Sequence, residues 1–191
     1  MVEGAQAVGG IAVDVKALGC DLYATSGHKW LLGPKGTGLL YVSSSLGNRI
    51  ELISLQEGHK AYSGATGVTN IPGVIGLGAA IDYASARGLR EIEAHNLALR
   101  RRLETALASV PKLRIVTPSE PELLSPLLTY RLPDDVPAQE LQQRLQTKYN
   151  IAVKVVPAWW FNGQRISTHL FNTESDVEAL VSALRVELTA A

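Results

Sequence analysis

Cysteine is almost absent from this sequence, since Cys20 is its only thiol among 191 residues. A single cysteine excludes an internal disulfide framework and leaves no cysteine-based metal site. We therefore expect the chain to fold in a reducing compartment, with the cytoplasm as the default location.

The sequence also lacks a charge excess and long hydrophobic runs. Lysine and arginine together number 18, as do aspartate and glutamate, so the formal net charge is zero. This balance, without any basic run, gives no support for a nucleic-acid or membrane partner. The apolar stretches are short and interrupted by glycine, proline or charge, so none is expected to span a bilayer. The opening residues MVEGAQAVGG lack the basic and apolar regions of a signal peptide, and we expect none.

Hydrophobic residues make up 46% of the chain, enough to bury the core of one domain or of two small lobes. In the first part, DLYATS (21–26) and GTGLLYV (36–42) are typical of short strands inside an α/β sheet. A Gly/Ala-rich helix follows from Ile71, with Pro72 in its first turn and Gly88 at its end. We predict a first region of residues 1–87 and a second of residues 88–191.

The second region has an α+β pattern. An amphipathic helix reaches Val110, and shorter strand and helix patterns then alternate, which predicts helices against a small antiparallel sheet. The closing helix follows Thr173, with Asp176 at the capping-box position.

Lys29 is the first candidate functional residue. Most lysines near glycine-rich turns are solvated surface charges, and this reading stays open. Lys29, however, lies between the apolar segments DLYA and WLLG, where a charge is costly unless it has a function. A partly desolvated lysine is a good Schiff-base nucleophile. Ser26 and His28 beside it could hold a phosphate close to the amine.

These residues also carry a resemblance to a known family. The stretch SGHKWLLGPKGTGLLYV and the residues before it resemble the lysine region of the class V aminotransferases, which use pyridoxal phosphate (PLP). The resemblance covers nearly the whole chain and corresponds to the carboxyl half of such enzymes. It implies a fold type I architecture: part of the α/β PLP-binding major domain, then a small α+β domain. It further implies that Lys29 forms the Schiff base and moves the substrate α-proton, and that Ser26 and His28 contact the phosphate.

The resemblance also assigns cofactor contacts upstream of the lysine. The family has an acid, usually Asp, three positions before a Gln; these positions are Glu3 and Gln6 here. The acid pairs with the pyridine nitrogen and the Gln bonds the ring hydroxyl. Glu is one methylene longer than Asp, so either the ring shifts or the side chain folds back. The alternative for Glu3 is a frayed terminal carboxylate without a role.

Downstream, the resemblance implies that Arg165 is the arginine that binds the substrate carboxylate. Its planar guanidinium group suits this role because it can donate two parallel hydrogen bonds to a carboxylate. Its alternative is an ordinary arginine at a strand edge. Asn70 aligns with the Asn of the family's Gly-Thr-Pro-Asn run. Val68 then replaces the Thr that reaches the cofactor phosphate of a neighbouring subunit, and Thr66 or Thr69 could substitute for it.

The loop before Arg165 predicts which branch of the family is nearest. Cysteine desulfurases carry a cysteine on this loop, whereas VVPAWWFNGQ has none. We therefore expect a PLP enzyme of the isopenicillin-N-epimerase-like branch, not a cysteine desulfurase. Trp159, Trp160 and Phe161 either line a substrate pocket or cover the small lobe, and we favour the second.

The residues that precede VEGAQ in the family have no counterpart here. The chain is thus a shortened form of a full enzyme, one half of a split enzyme, or a non-catalytic remnant. Our leading hypothesis is a PLP-dependent enzyme, similar to class V aminotransferases, that acts on an amino acid and forms a homodimer. A separate N-terminal half is a possible partner. The alternative is a catalytically inactive binding or dimerisation module.

Overall fold

A computed structural model describes residues 1–49 and 70–189 of the chain. The chain divides into two compact units, Met1–Leu89 and Arg90–Ala191. The sequence places a boundary between residues 87 and 88; that the two parts are independent domains stays a prediction.

The first unit contains a three-stranded sheet. Its strands are β1 (Val2–Glu3), β2 (Leu22–Ser26) and β3 (Gly38–Val42), in the order β1-β2-β3. β1 pairs with β2 in parallel and β2 with β3 antiparallel. A short 3-10 helix, Ser44–Arg49, follows. The strands predicted from DLYATS and GTGLLYV are confirmed.

Helix α1 (Ile71–Arg87) completes the described part of this unit. Its start is specified locally, because the Asn70 side chain accepts a hydrogen bond from the Gly73 N–H and Pro72 lies in the first turn. Gly88 ends it with a φ of 88°, a conformation that glycine adopts at low cost. The predicted helix and its end are thus confirmed.

The second unit combines three helices with a four-stranded sheet. The helices are α2 (Leu89–Leu107, which begins at the boundary), α3 (Ala138–Tyr149) and α4 (Glu174–Thr189). The strands are β4 (Arg114–Ile115), β5 (Leu127–Arg131), β6 (Lys154–Val155) and β7 (Gly163–Ser167), and a 3-10 turn spans Pro121–Leu123. Sheet order is β4-β5-β7-β6, with every neighbouring pair antiparallel.

One face of this sheet packs against the helices and forms the core. Fully buried members include Leu103, Leu107, Leu128, Tyr130, Leu141, Leu145 and Leu184. The predicted capping box is present at α4, where the Thr173 N–H donates to Asp176 and the Asp176 N–H donates to the Thr173 hydroxyl.

Two predicted strands and one predicted helix are shorter than their sequence patterns. β4 and β6 are the edge strands of the sheet, so each forms backbone hydrogen bonds with only one neighbouring strand. The helix predicted to reach Val110 ends at Leu107, because the Val110 N–H turns back to the Leu107 carbonyl. None of the described helices is long and apolar enough to cross a membrane.

A buried carboxylate ties α3 to α4. Glu187, only 8% exposed, accepts hydrogen bonds from Arg144 Nε at 2.6 Å, Lys148 Nζ at 2.9 Å and the Tyr149 hydroxyl at 3.1 Å. Burial by itself raises the pKa of Glu187, but the hydrogen bonds from Lys148, Arg144 and Tyr149 outweigh it and hold the pKa below its ordinary value.

This carboxylate should make stability pH-dependent. A carboxyl whose pKa is lower in the folded state contributes stability above its unfolded pKa, and this contribution is lost as pH falls through the folded pKa. We expect Glu187→Gln to cost about 1–3 kcal/mol at neutral pH and to flatten the decline of stability below about pH 4.5. Urea unfolding across pH tests this, with the exposed Glu178→Gln as control. An unchanged pH slope in Glu187→Gln would contradict the assignment.

Candidate cofactor site

Two strand ends meet at one edge of the first sheet. Because β1 and β2 run parallel, the residues that follow each strand emerge at the same edge. The Gly4 N–H donates to the Ala24 carbonyl at 2.8 Å, and the Thr25 hydroxyl donates to the Gly4 carbonyl at 3.1 Å. These bonds hold the segment containing Glu3 and Gln6 beside the segment containing Ser26 and Lys29.

Lys29 lies on a loop whose two ends are joined by backbone hydrogen bonds. The Gly27 N–H donates to the Thr37 carbonyl and the Gly33 N–H to the Gly27 carbonyl, both at 2.8 Å. Trp30 and Leu31 are each only 4% exposed, so the residues after Lys29 anchor the loop in the unit's core. The loop can therefore present Lys29 from a fixed position.

Gly27 is required by this packing. A Cβ at residue 27 would stand 2.6 Å from the Thr37 hydroxyl oxygen and 2.7 Å from the Leu77 Cδ1 atom of α1. Helix α1 therefore packs directly on the turn between Ser26 and Lys29, and any larger residue would displace one or the other.

The three predicted residues of this loop differ in their surroundings. Lys29 is half-buried, and its amine has no hydrogen bond or ion pair with any residue in the described ranges. Ser26 ends β2 and is half-buried. His28 is exposed, and its Nδ1 lies 3.4 Å from the Thr37 carbonyl oxygen.

Gln6 and Glu3 each already have one partner. Gln6 Oε1 accepts a hydrogen bond from Trp30 Nε1 at 2.9 Å, which leaves the Gln6 amide NH₂ as the group that can donate to a ligand. Glu3 is exposed, and its Oε1 accepts from the Ala5 N–H at 2.9 Å. Glu3 lies on β1, which is paired with β2, whereas a frayed terminal residue would have no paired backbone.

Sequence reasoning missed the role of Trp30, which it treated only as part of an apolar flank. The indole packs against Gly10, where a Cβ would stand 2.9 Å from its ring, and bonds Gln6 through its N–H. A tryptophan next to the lysine, with two consecutive glycines upstream, was the available signal.

The donor set at this edge matches the groups of PLP. The Lys29 amine, which has no partner among the described residues, suits the aldehyde. A hydroxyl and an imidazole suit a phosphate, and an amide NH₂ suits the ring oxygen. The Glu3 carboxylate has the charge needed opposite a protonated ring nitrogen. The residues present therefore fit the cofactor that the resemblance implies.

Arg165 belongs to the second unit and lies on β7. Its Nε is buried and has no hydrogen-bond partner within the described part of the chain. It lines a cavity of about 440 Å³ with Thr117, Thr129, Lys154, Trp160 and Phe161 among its other walls. A buried, unsatisfied guanidinium nitrogen in a cavity is the arrangement expected for a site that binds an anion.

The aromatic loop before Arg165 is largely solvent-exposed. Trp159 is 82% and Trp160 69% exposed, so neither covers the second unit's core as the favoured reading had it. Trp160 and Phe161 line the Arg165 cavity, and that this cavity is a substrate pocket stays a prediction. Cys20 is half-buried. Val68, Thr66 and Thr69 lie outside the described residues.

The family model for class V aminotransferases matches residues 1–180. The chain belongs to the class V aminotransferase family. This confirms the resemblance, and the mixed α/β fold agrees with the PLP-dependent fold type I structures described below. PLP is confirmed as the cofactor of the family.

Curated relatives of the chain include cysteine desulfurases. One from Dickeya dadantii is 45% identical over 132 residues, covering 62% of this chain and 32% of that protein. One from Salmonella agona is 35% identical over 207 residues, covering 96% of this chain and 50% of that protein. The chain thus spans about half the length of this second relative.

Solved structures with the same fold include a cysteine desulfurase. The apo cysteine desulfurase from Thermococcus onnurineus superposes with a TM-score of 0.84 at 26% identity, covering 99% of this chain and 52% of that one. A structure titled as a C-DES mutant with glycine covalently linked to the PLP cofactor has a TM-score of 0.81, covering 95% of this chain and 50% of that one. At 22% identity, this second likeness concerns the fold alone.

These relatives overturn one prediction. Because the loop before Arg165 has no cysteine, the chain was predicted to lie near the isopenicillin-N-epimerase-like branch and not to be a cysteine desulfurase. Relatives at 35–45% identity are cysteine desulfurases, so that exclusion is wrong. The error came from letting one position in an exposed loop outweigh similarity that extends over 96% of the chain.

Proposed function

We propose that this chain forms the Lys29-containing part of a PLP-dependent enzyme that acts on a sulfur-containing amino acid of the cysteine type. The observation that carries the proposal is the Lys29 amine, half-buried, without a partner in the described ranges and held on a closed loop beside Ser26 and Gln6.

Each residue at this edge has a task that follows from its chemistry. The Ser26 hydroxyl and the His28 ring would hold the phosphate. The Gln6 amide would donate to the ring oxygen while Trp30 fixes its other end. The Glu3 carboxylate would stabilise a proton on the ring nitrogen. When bound, PLP supplies an electron sink for the bond to be broken.

Lys29 has two roles in this proposal. Its amine would bond covalently to the cofactor, and once substrate replaces it there, the freed amine would carry the proton at the substrate Cα. A lysine suits both roles because it is a nucleophile when neutral and an acid when protonated.

Arg165 would hold the substrate carboxylate. Its buried Nε lacks a partner in the described part of the chain and would gain one, and a guanidinium binds a carboxylate through two parallel charge-assisted bonds. The substrate class comes from the cysteine desulfurase relatives. An assay with L-cysteine and an added thiol acceptor separates the reaction types by their products. Transfer of the sulfur to the thiol gives a persulfide and alanine, elimination of hydrogen sulfide gives pyruvate and ammonia, and amino-group transfer gives 3-mercaptopyruvate.

Further polypeptide would complete the site. Leu39, Leu40 and Val42 on β3 are 44%, 60% and 42% exposed, although they belong to an apolar strand. Such a surface favours association. It supports a complex with a separate N-terminal half, which would correspond to the residues that precede VEGAQ in the family. The predicted homodimer remains part of the proposal.

The proposal is tested by adding PLP to the purified chain and recording its visible absorbance. We expect an absorbance band that Lys29→Ala abolishes and that the matched variant Lys35→Ala, in the same segment but exposed, retains. Equal bands in wild type and Lys29→Ala would contradict the role of Lys29. The absence of any band in all three chains would favour an inactive binding module.

A further inference from the structure

The second sheet has one face turned away from the helical core. In a strand, alternate side chains point to opposite faces. Leu128 and Tyr130 of β5 are fully buried on the core side, so Thr129 and Arg131 lie on the other. Register places Arg165 opposite Thr129, and Lys154 opposite Arg165, on this same outer face.

This outer face carries only positive charge. Its strand residues include the cations Arg114, Arg131, Lys154 and Arg165 and no carboxylate. None of the four forms an ion pair with a residue in the described ranges, and Arg131 instead lies over the Phe161 ring at 5.0 Å. The cavity at Arg165 likewise has no acidic residue in its described lining.

Lys154 and Arg165 are an unfavourable pair without a ligand. Residues directly opposite on antiparallel strands have Cβ atoms about 5 Å apart, and like charges there are destabilising. Both residues line the same cavity, together with the apolar walls Val156, Pro157 and Phe161. Apolar walls reduce solvent screening, so an anion between the two cations would be bound more strongly than at an open surface.

We propose that this cavity binds a ligand with two anionic groups, one held by Arg165 and the other by Lys154. The inference rests on the proposed function and deepens it: with Arg165 on the α-carboxylate, Lys154 would take an anionic group at the end of the substrate side chain. The substrate class is then an amino acid whose side chain binds in ionised form. Lys154 acts as a specificity residue.

Succinate and butyrate form a matched pair of probes, because both have four carbons and differ by one carboxylate. Binding to the full chain without PLP can be followed by the Trp160 indole N–H resonance in proton–nitrogen NMR spectra at fixed ionic strength. The resonance is assigned with Trp160→Phe. We expect succinate to bind about fivefold more tightly than butyrate.

The variants identify which cation causes this preference. Lys154→Gln should bind both probes with the affinity of wild type for butyrate, and Arg165→Gln should weaken both. Lys16→Gln, an exposed lysine of the first unit, should match wild type. Equal affinity of wild type for the two probes, no binding of either, or a preference that survives in Lys154→Gln would overturn the proposal.

The result is independent of the cofactor test. PLP absorbance that depends on Lys29, together with equal binding of succinate and butyrate, would leave the proposed function standing and reject only the second anion site. Selective succinate binding without a Lys29-dependent band would support the second anion site and reject the role of Lys29 in the proposed function.

Discussion

Replacing Trp30 with alanine is expected to destabilise the first unit by about 3–5 kcal/mol, the usual cost of removing a buried tryptophan. The indole is only 4% exposed and packs against Gly10. Its loss would leave a cavity beside the Lys29 loop and remove the hydrogen bond to Gln6. Both effects should also weaken binding of PLP, because they release two of the segments that form the site.

Urea unfolding followed by circular dichroism measures this loss. Trp159→Ala is the matched control, since Trp159 is 82% exposed and its removal should change stability by less than about 0.5 kcal/mol. Trp30→Phe keeps most of the packing and removes the bond to Gln6, so it should cost less than Trp30→Ala. Equal stability of Trp30→Ala and Trp159→Ala would show that Trp30 does not anchor the loop.

Replacing Leu184 with alanine should destabilise the second unit by about 2–5 kcal/mol. Leu184 is completely buried on α4, in the core shared with α2, α3 and the sheet. Removing its side chain forfeits burial of apolar surface and leaves a cavity that a close-packed core fills only in part. The lost stability should appear as a lower urea midpoint.

The control for this variant is Leu123→Ala. Leu123 lies on the short 3-10 turn and is 59% exposed, so its loss should be nearly neutral. The same lowering of the midpoint in both variants would contradict the assignment of α4 to the core.

The sequence predicted those features that depend on local signals. Pro72 and Gly88 mark the ends of α1, and Thr173 with Asp176 marks the start of α4; each acts at its own helix terminus. The strand before Lys29 was also evident from its apolar run. These features need no knowledge of the rest of the chain.

Other features depend on contacts between distant segments. Gln6 and Trp30 are 24 residues apart, and their hydrogen bond follows from the pairing of β1 with β2. The opposition of Lys154 and Arg165 depends on strand register, which no short pattern determines. The branch of the family was misjudged for a related reason, because one loop position was given more weight than the rest of the chain.

Borohydride reduction followed by peptide mass spectrometry tests the central claim most directly. The full chain is incubated with PLP, reduced and digested, and the modified residue is located. We predict a phosphopyridoxyl group on Lys29 and none on the exposed Lys35, with the adduct lost in Lys29→Ala. Modification spread over the exposed lysines, or an equal yield of adduct in Lys29→Ala, would contradict the assignment of Lys29 as the cofactor lysine.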